Sequence, residues 1–175
     1  MERLQTESWG RLVVLVLLTV GFSATRLSAQ STGNATMTAN LTDVLQLTVN
    51  TNAVNLNFAT VADYNNGVTS AVNNQLTITS NRAYDLKIKT SGGDLVNGTN
   101  LIPVSNISAQ TTGTGNGTAT PVAALSITDQ TLATAVPASM AKTISMQYST
   151  AAANAAFLKP AGAYVTTLTY TVVAN

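Results

Sequence analysis

The sequence predicts an all-β protein, a single antiparallel β-sandwich of about seven to nine short strands. Three observations predict it. Apolar and polar residues alternate with period two in stretch after stretch, as in LTITS (76–80) and YDLKIK (84–89). Turn chemistry (Asn-Gly, Gly-Gly, Asn-Arg, Asp beside Gly) returns at short intervals between those stretches. Helix propensity is confined to AAANAAFL (151–158), which Pro160 cuts short after one or two turns. A small closed barrel carries the same pattern and stays open as an alternative.

The domain occupies residues 30–175. Before it, Arg3 and Arg11 precede the uncharged apolar run LVVLVLLTVGF (12–22), then SATRLSAQ with small residues ahead of Gln30. This is the layout of a secretory signal peptide spanning 1–29 with cleavage after Ala29, although Arg26 blurs the cleavage position. The apolar run is short for a bilayer span, so a retained signal anchor is the weaker reading and no transmembrane segment is expected after cleavage. The expected location is secreted: the extracellular medium or the bacterial cell surface, reached through the periplasm.

Past residue 29 the charged residues are Asp43, Asp63, Asp85, Asp94 and Asp129 against Arg82, Lys87, Lys89, Lys142 and Lys159, which balance to neutrality. No basic patch exists to neutralise phosphates, so nucleic acid is not an expected partner. Nor is there a polybasic segment for anionic lipid. Solubility rests on Thr, Ser, Asn and Gln, and little long-range repulsion opposes association between copies. Cysteine and histidine are both absent. Thiol chemistry, thiolate metal sites and histidine-dependent triads are thereby excluded.

Along the chain, ATMTANLTDVLQLTV (35–49) alternates with Ala35, Met37, Ala39, Leu41, Leu45, Leu47 and Val49 on one face, and reads as two strands bent near Thr42–Asp43. AVNLNFATV (53–61) sets Val54, Leu56 and Phe58 on one face. DYNNGV (63–68) reads as a turn. QLTITS (75–80) and AYDLKIKT (83–90) are strands, the second with Tyr84, Leu86 and Ile88 inward. LIPVSNISA (101–109) shifts register at Pro103, as an edge strand or a bulge does. TTGTGNGTAT (111–120) reads as a mobile loop, and AALSITD (123–129) and KTISMQYST (142–150) as further strands. The cleanest alternation is AYVTTLTYTVV (163–173), with Tyr164, Leu168, Tyr170 and Val172 on one side; it reads as a strand pairing centrally to close the fold.

No catalytic, cofactor-binding or metal site emerges. Five scattered aspartates are best read as solvated surface groups, and a glycosidase would need two carboxylates facing each other across a cleft. DYNNG (63–67) lacks the spacing and bidentate Glu of a calcium loop and reads as an Asx turn. Asn-x-Ser/Thr sequons at Asn34, Asn40, Asn97, Asn106 and Asn116 are expected by chance in so Asn- and Thr-rich a chain. Of the tyrosines, Tyr64 alone falls in a turn and is the one exposed ring available to a ligand.

The signal-like start, the alternating first segment, the strands around Phe58–Thr60 and 76–80, and GAYVTTLTYTV (162–172) together resemble secreted bacterial sandwiches of the pilin type, above all spore-coat-protein-U-like and fimbrial-subunit-like domains. The resemblance is diffuse and spans nearly all of residues 30–175. WxL-type cell-wall domains are similar near the last strand, but tryptophan is absent after residue 29. The resemblance implies an immunoglobulin-like or pilin-like sandwich that polymerises by strand addition, with an assembly chaperone or outer-membrane export partner reading the closing strand. The implied donor lies within residues 30–41, with Ala35, Met37, Ala39 and Leu41 as plugs; the plainer reading makes 33–41 the first strand of its own domain. Subunits of that type commonly carry a disulfide, which this chain cannot form. The expected function is that of a secreted, non-enzymatic structural or adhesive surface protein that self-associates as a fimbrial or surface-layer-type subunit. A solitary carbohydrate-binding module is the alternative.

Overall fold

The computed structural model describes residues 30–175, so the signal peptide expected over 1–29 lies outside the described residues. Leu41–Asn175 forms a compact unit; residues 30–40 are not part of that unit and carry no helix or strand.

The fold is an antiparallel β-sandwich. One sheet has the order β1-β2-β9-β6 and the other β10-β3-β8-β7, and a ribbon pairs β4 with β5. The strands are β1 (Leu45–Val49), β2 (Thr69–Ser80), β3 (Tyr84–Thr90), β4 (Asp94–Asn97), β5 (Asn100–Pro103), β6 (Ile107–Thr112), β7 (Thr118–Ala119), β8 (Gln130–Val136), β9 (Ser139–Thr150) and β10 (Leu168–Ala174). The core sits between the sheets. Leu76, Ile78, Ile144, Met146 and Tyr148 of the first sheet meet Tyr84, Leu86, Ile88, Leu132 and Val136 of the second, each almost wholly buried. In β3 the burial alternates without a break from Tyr84 to Thr90, because Asp85, Lys87 and Lys89 take the outer face.

The long strands are bent where the period is broken. The β2–β9 register shifts between Val72 and Leu76, with Asn74 at φ 50°. Asn50 secures this bulge: its amide donates to the Gln75 carbonyl at 2.8 Å, and its side chain donates to the Asn74 carbonyl at 2.8 Å and the Thr77 hydroxyl at 2.7 Å. The extra residue turns Gln75, a polar side chain beside Leu76, into the protein, where 1% of it is exposed.

Several sequence expectations are corrected. Of the run 35–49, β1 alone joins a sheet; 30–44 has no regular structure. Residues 63–66 belong to a short helix, α1 (Val61–Asn66), not to a turn. The side chain of Asp63 accepts from the Ala59 and Thr60 amides at 2.9 and 2.7 Å while its own amide donates to Thr60 Oγ1, a reciprocal cap. These donors hold the Asp63 carboxyl below its ordinary pKa, the Thr60 amide most strongly. Gly67 ends the helix at φ 77°, and a Cβ there would run into the Thr150 carbonyl.

Residues 123–129 form no strand. Val122 makes an isolated bridge to Ala109, and the next strand is β8, which the alternation did not reveal. The loop 113–117 is anchored rather than free: Asn116 is buried and donates to the Thr112 carbonyl at 2.9 Å. Pro103 ends β5 ahead of a 3-10 turn at Val104–Asn106, and a second such turn, Ala155–Phe157, is all the helix that 151–158 forms. The strand over 168–174 is an edge strand, not a central one.

Candidate functional site

Strands β1 and β10 are edge strands, one in each sheet, with β6 and β7 at the opposite edges, and they run along the same side of the sandwich. At one end that side is shut. Arg82, in the β2–β3 connection, pairs with Asp43 at 3.0 Å and donates to the carbonyl of Asn175. Toward the other end, beyond Val49 and before Leu168, neither edge continues as a ladder. A groove of about 1090 Å3 opens there between the extended segments 49–59 and 159–168.

Both lips have strand-like sequences that lie mostly outside the named strands. Val54, Leu56 and Phe58 are half-buried and share one face, as their spacing predicts, while Asn55 and Asn57 point to solvent. Among the described residues, no hydrogen bond is found for the backbone N–H or C=O groups of 52–58. On the opposite lip Tyr164, Thr166 and Leu168 keep the same alternation, half-buried, and Val165 exchanges two backbone hydrogen bonds with Val96 at 2.9 and 3.1 Å. Unpaired extended backbone flanking an apolar trough is the local chemistry that a further β-strand satisfies.

The floor is apolar, with Ile102, Ile107, Leu125 and Phe157, and has one polar point. There Tyr148 donates to Gln75 Oε1 at 2.8 Å and shares a short hydrogen bond with the Tyr170 hydroxyl. Gln75 in turn reaches the Thr51 carbonyl at 3.4 Å, tying one lip to the floor. Burial raises the pKa of both tyrosine hydroxyls, that of Tyr148 strongly, so the cluster stays neutral. Phe58 stacks on Phe157 at 4.6 Å and meets Tyr64 at 5.1 Å. Tyr64, read from the sequence as an exposed contact, is therefore half-buried against Phe58 on the groove wall. Lys159 is the one charged side chain lining the groove among the described residues.

The closing-strand residues Tyr164, Leu168, Tyr170 and Val172 do face one way, the first three of them into the groove. Ala35, Met37, Ala39 and Leu41 are exposed, Met37 at 96% and Leu41 at 82%. The aspartates are dispersed. Asp43 pairs with Arg82, Asp129 with Lys89 at 3.3 Å, Asp63 caps α1, and Asp85 accepts from the Asn175 side chain and the Ala135 amide, which lower its pKa in that order. No group of three or more acidic, His or Cys residues that could hold a metal occurs among the described residues, and no helix among them is long and apolar enough to cross a membrane. Elsewhere a shallow depression of about 320 Å3 is lined by small polar side chains, including Ser108, Ser149 and Asn154.

What sequence reasoning missed is the role of Gln75 and of the 49–59 lip. The signal for Gln75 was available: Asn73-Asn74-Gln75 interrupts the apolar period of β2, and such an interruption marks a bulge. Comparison with protein-family models and with curated protein sequences finds no match.

Proposed function

We propose that this chain is a secreted, non-enzymatic structural or adhesive subunit of a bacterial surface assembly, and that it self-associates by strand addition. Residues 33–41 of one copy are the strand received by the groove of the next. The observation that carries this reading is the pairing of two incomplete features. The groove has apolar walls and one lip, 52–58, without backbone partners. The segment 30–44 has period-two apolar residues but no strand, and its largest apolar side chains lie in solvent. Donor residues 33–41 would cover about 30 Å when extended, which fits within the length of the 49–59 lip. Before assembly, an export partner or chaperone with an exposed strand would occupy the same groove, since the unpaired edge is the same.

The test is the assembly state of residues 30–175 by size-exclusion chromatography with light scattering and negative-stain microscopy, beside a variant lacking 30–41. The expected result is a ladder or filaments for the longer chain and a folded monomer for the deletion. Unfolding of the deletion variant would make 33–41 an internal strand and overturn the proposal.

A second reading, a solitary carbohydrate-binding module, draws on the six aromatic rings lining the groove, those of Phe58, Tyr64, Tyr148, Phe157, Tyr164 and Tyr170. Sugar stacking needs a free ring face, and Phe58 and Phe157 cover each other. A chain that stays monomeric at all concentrations and binds in a glycan screen would favour this reading.

A further inference from the structure

The two lips of the groove are unequal, and the difference lies in where their backbone groups point. In an extended chain the N–H and C=O of one residue face one side and those of the next face the other. On the 159–168 lip the odd residues are taken. Val165 exchanges two hydrogen bonds with Val96. The Ser91 amide donates to the Thr167 carbonyl at 2.9 Å, and the Thr167 amide donates to Ser91 Oγ at 3.2 Å. The Asn175 amide donates to the Ala83 carbonyl at 2.8 Å, and the β10–β3 register runs unbroken from Leu168 opposite Thr90 to Ala174 opposite Tyr84. One parity therefore holds from 165 to 175. Odd residues turn their backbone groups toward β4 and β3, and even residues turn theirs off the sheet.

Resting on the assembly reading above, we propose that the even-numbered edge Tyr164–Tyr170 is the ladder on which residues 33–41 of another copy are laid, and that 52–58 is a cover, not a template. Tyr164, Thr166, Leu168 and Tyr170 all line the groove, so their side chains and their outward backbone groups serve the same space. Among the described residues no backbone partner is found for the N–H or C=O of Tyr164 or Thr166. By the same parity those of Leu168 and Tyr170 point off β10. Val172 and Ala174 continue the edge toward the shut end, where Arg82 holds the Asn175 carbonyl.

This edge is already in the shape that a new strand needs. Val96 and Ser91 fix it from behind, so laying a strand on it orders nothing further on that side. The segment 52–58 has no such support: its backbone is bonded on neither side, and holding it straight for a ladder would cost entropy at every residue. What 52–58 does offer is the apolar face of Val54, Leu56 and Phe58, which covers the groove whichever strand lies in it. The occupant is uncharged as well as extended. Lys159 is the one charged residue lining the groove among the described residues, and residues 33–41 contain no charge that burial there would strand.

The experiment uses residues 30–175 with Thr166→Pro, Thr166→Val and Asn55→Pro. Proline is tolerated on a sheet edge where the N–H bonds to nothing, but it removes that donor and sets its ring in the path of a new strand. Thr166→Val keeps the N–H and isolates the side chain. The expected result is a Thr166→Pro chain that melts close to the wild type and associates about tenfold more weakly or worse by light scattering. Thr166→Val and Asn55→Pro should associate about as the wild type does. Hydrogen exchange of the unsubstituted chain, dilute and assembled, reads the same edge without a variant. The Thr166, Leu168 and Tyr170 amides should slow on assembly, and Val165 should be slow in both states. Thr166 and Leu168 amides that exchange equally fast in both states overturn the edge and leave the assembly reading standing. So does loss of association in Asn55→Pro without loss in Thr166→Pro. Assembly that persists without 30–41, with those amides still protected, overturns the assembly reading's donor and supports the edge.

Discussion

Met37 separates the monomer from the assembly. Its side chain is 96% exposed, so Met37→Ala removes nothing from the core and should shift monomer stability by less than about 0.5 kcal/mol. If the same side chain is a plug in a partner's groove, it is buried there among Leu56, Phe58 and Leu168. Burying a methionine is worth about 1.5–3 kcal/mol, and alanine keeps only its methyl group, so about 2 kcal/mol is lost from each contact between copies. Each 1.4 kcal/mol is tenfold in affinity, which makes the contact roughly 30-fold weaker. Sedimentation across a concentration series measures the association constant, and a thermal melt measures the monomer. Thr36→Ala is the control, since period two turns Thr36 away from the groove and its loss should change neither quantity. Equal association constants for Met37→Ala and wild type would refute the plug. A lower melting temperature in Met37→Ala would refute it differently, by placing Met37 in its own core.

Three further outcomes test the framework. Leu168→Asp puts a carboxylate on a half-buried position at the groove wall, where water still reaches it; it should cost about 1–3 kcal/mol in melting experiments and abolish assembly, and wild-type assembly would show the wall is not used. Gly117→Ala sets a Cβ at φ 68° against the Thr134 carbonyl and the Val136 amide, and should destabilise by about 2 kcal/mol in a denaturant titration. Asp63 is ionised more readily folded than unfolded, so its stabilising cap is present above the unfolded pKa of about 3.9 and fades as pH falls through the lower folded value. The melting difference between wild type and Asp63→Asn should therefore be present at pH 7 and vanish near pH 2; a difference that persists there would place the effect elsewhere.

The fold class was legible because both sheets carry amphipathic period-two strands: β2, β3 and β9 bury the side chains the alternation names, including Leu76, Ile78, Tyr84, Leu86, Ile144, Met146 and Tyr148. β8 was illegible for a local reason. Its buried residues Leu132 and Ala133 are adjacent, and Ala135 sits at φ 50°, so a bulge scrambles the period that a strand search relies on. Helix α1 was hidden because VADYNN contains few strong helix formers; the reciprocal Thr60–Asp63 cap supports a segment that propensity would leave as a turn. Of the groove, the faces of 54–58 and 164–170 were legible, but not their meeting, which depends on which strands become sheet edges.

Three failures of the strand reading share one feature. Residues 35–41, 53–59 and 163–167 all alternate as strands do, yet none of them forms part of a named strand. Two of these segments are the lips of one groove, and the third is the exposed arm. A foldable sequence keeps its local preferences consistent with its global structure, and exceptions concentrate where a function opposes the isolated fold. Alternation preserved on both lips and the arm, without a ladder to use it, is such an exception. A strand from another copy would remove all three conflicts at once: the arm gains a sheet, the lips gain backbone partners, and Val54, Leu56, Phe58 and Leu168 gain the neighbours that their spacing anticipates.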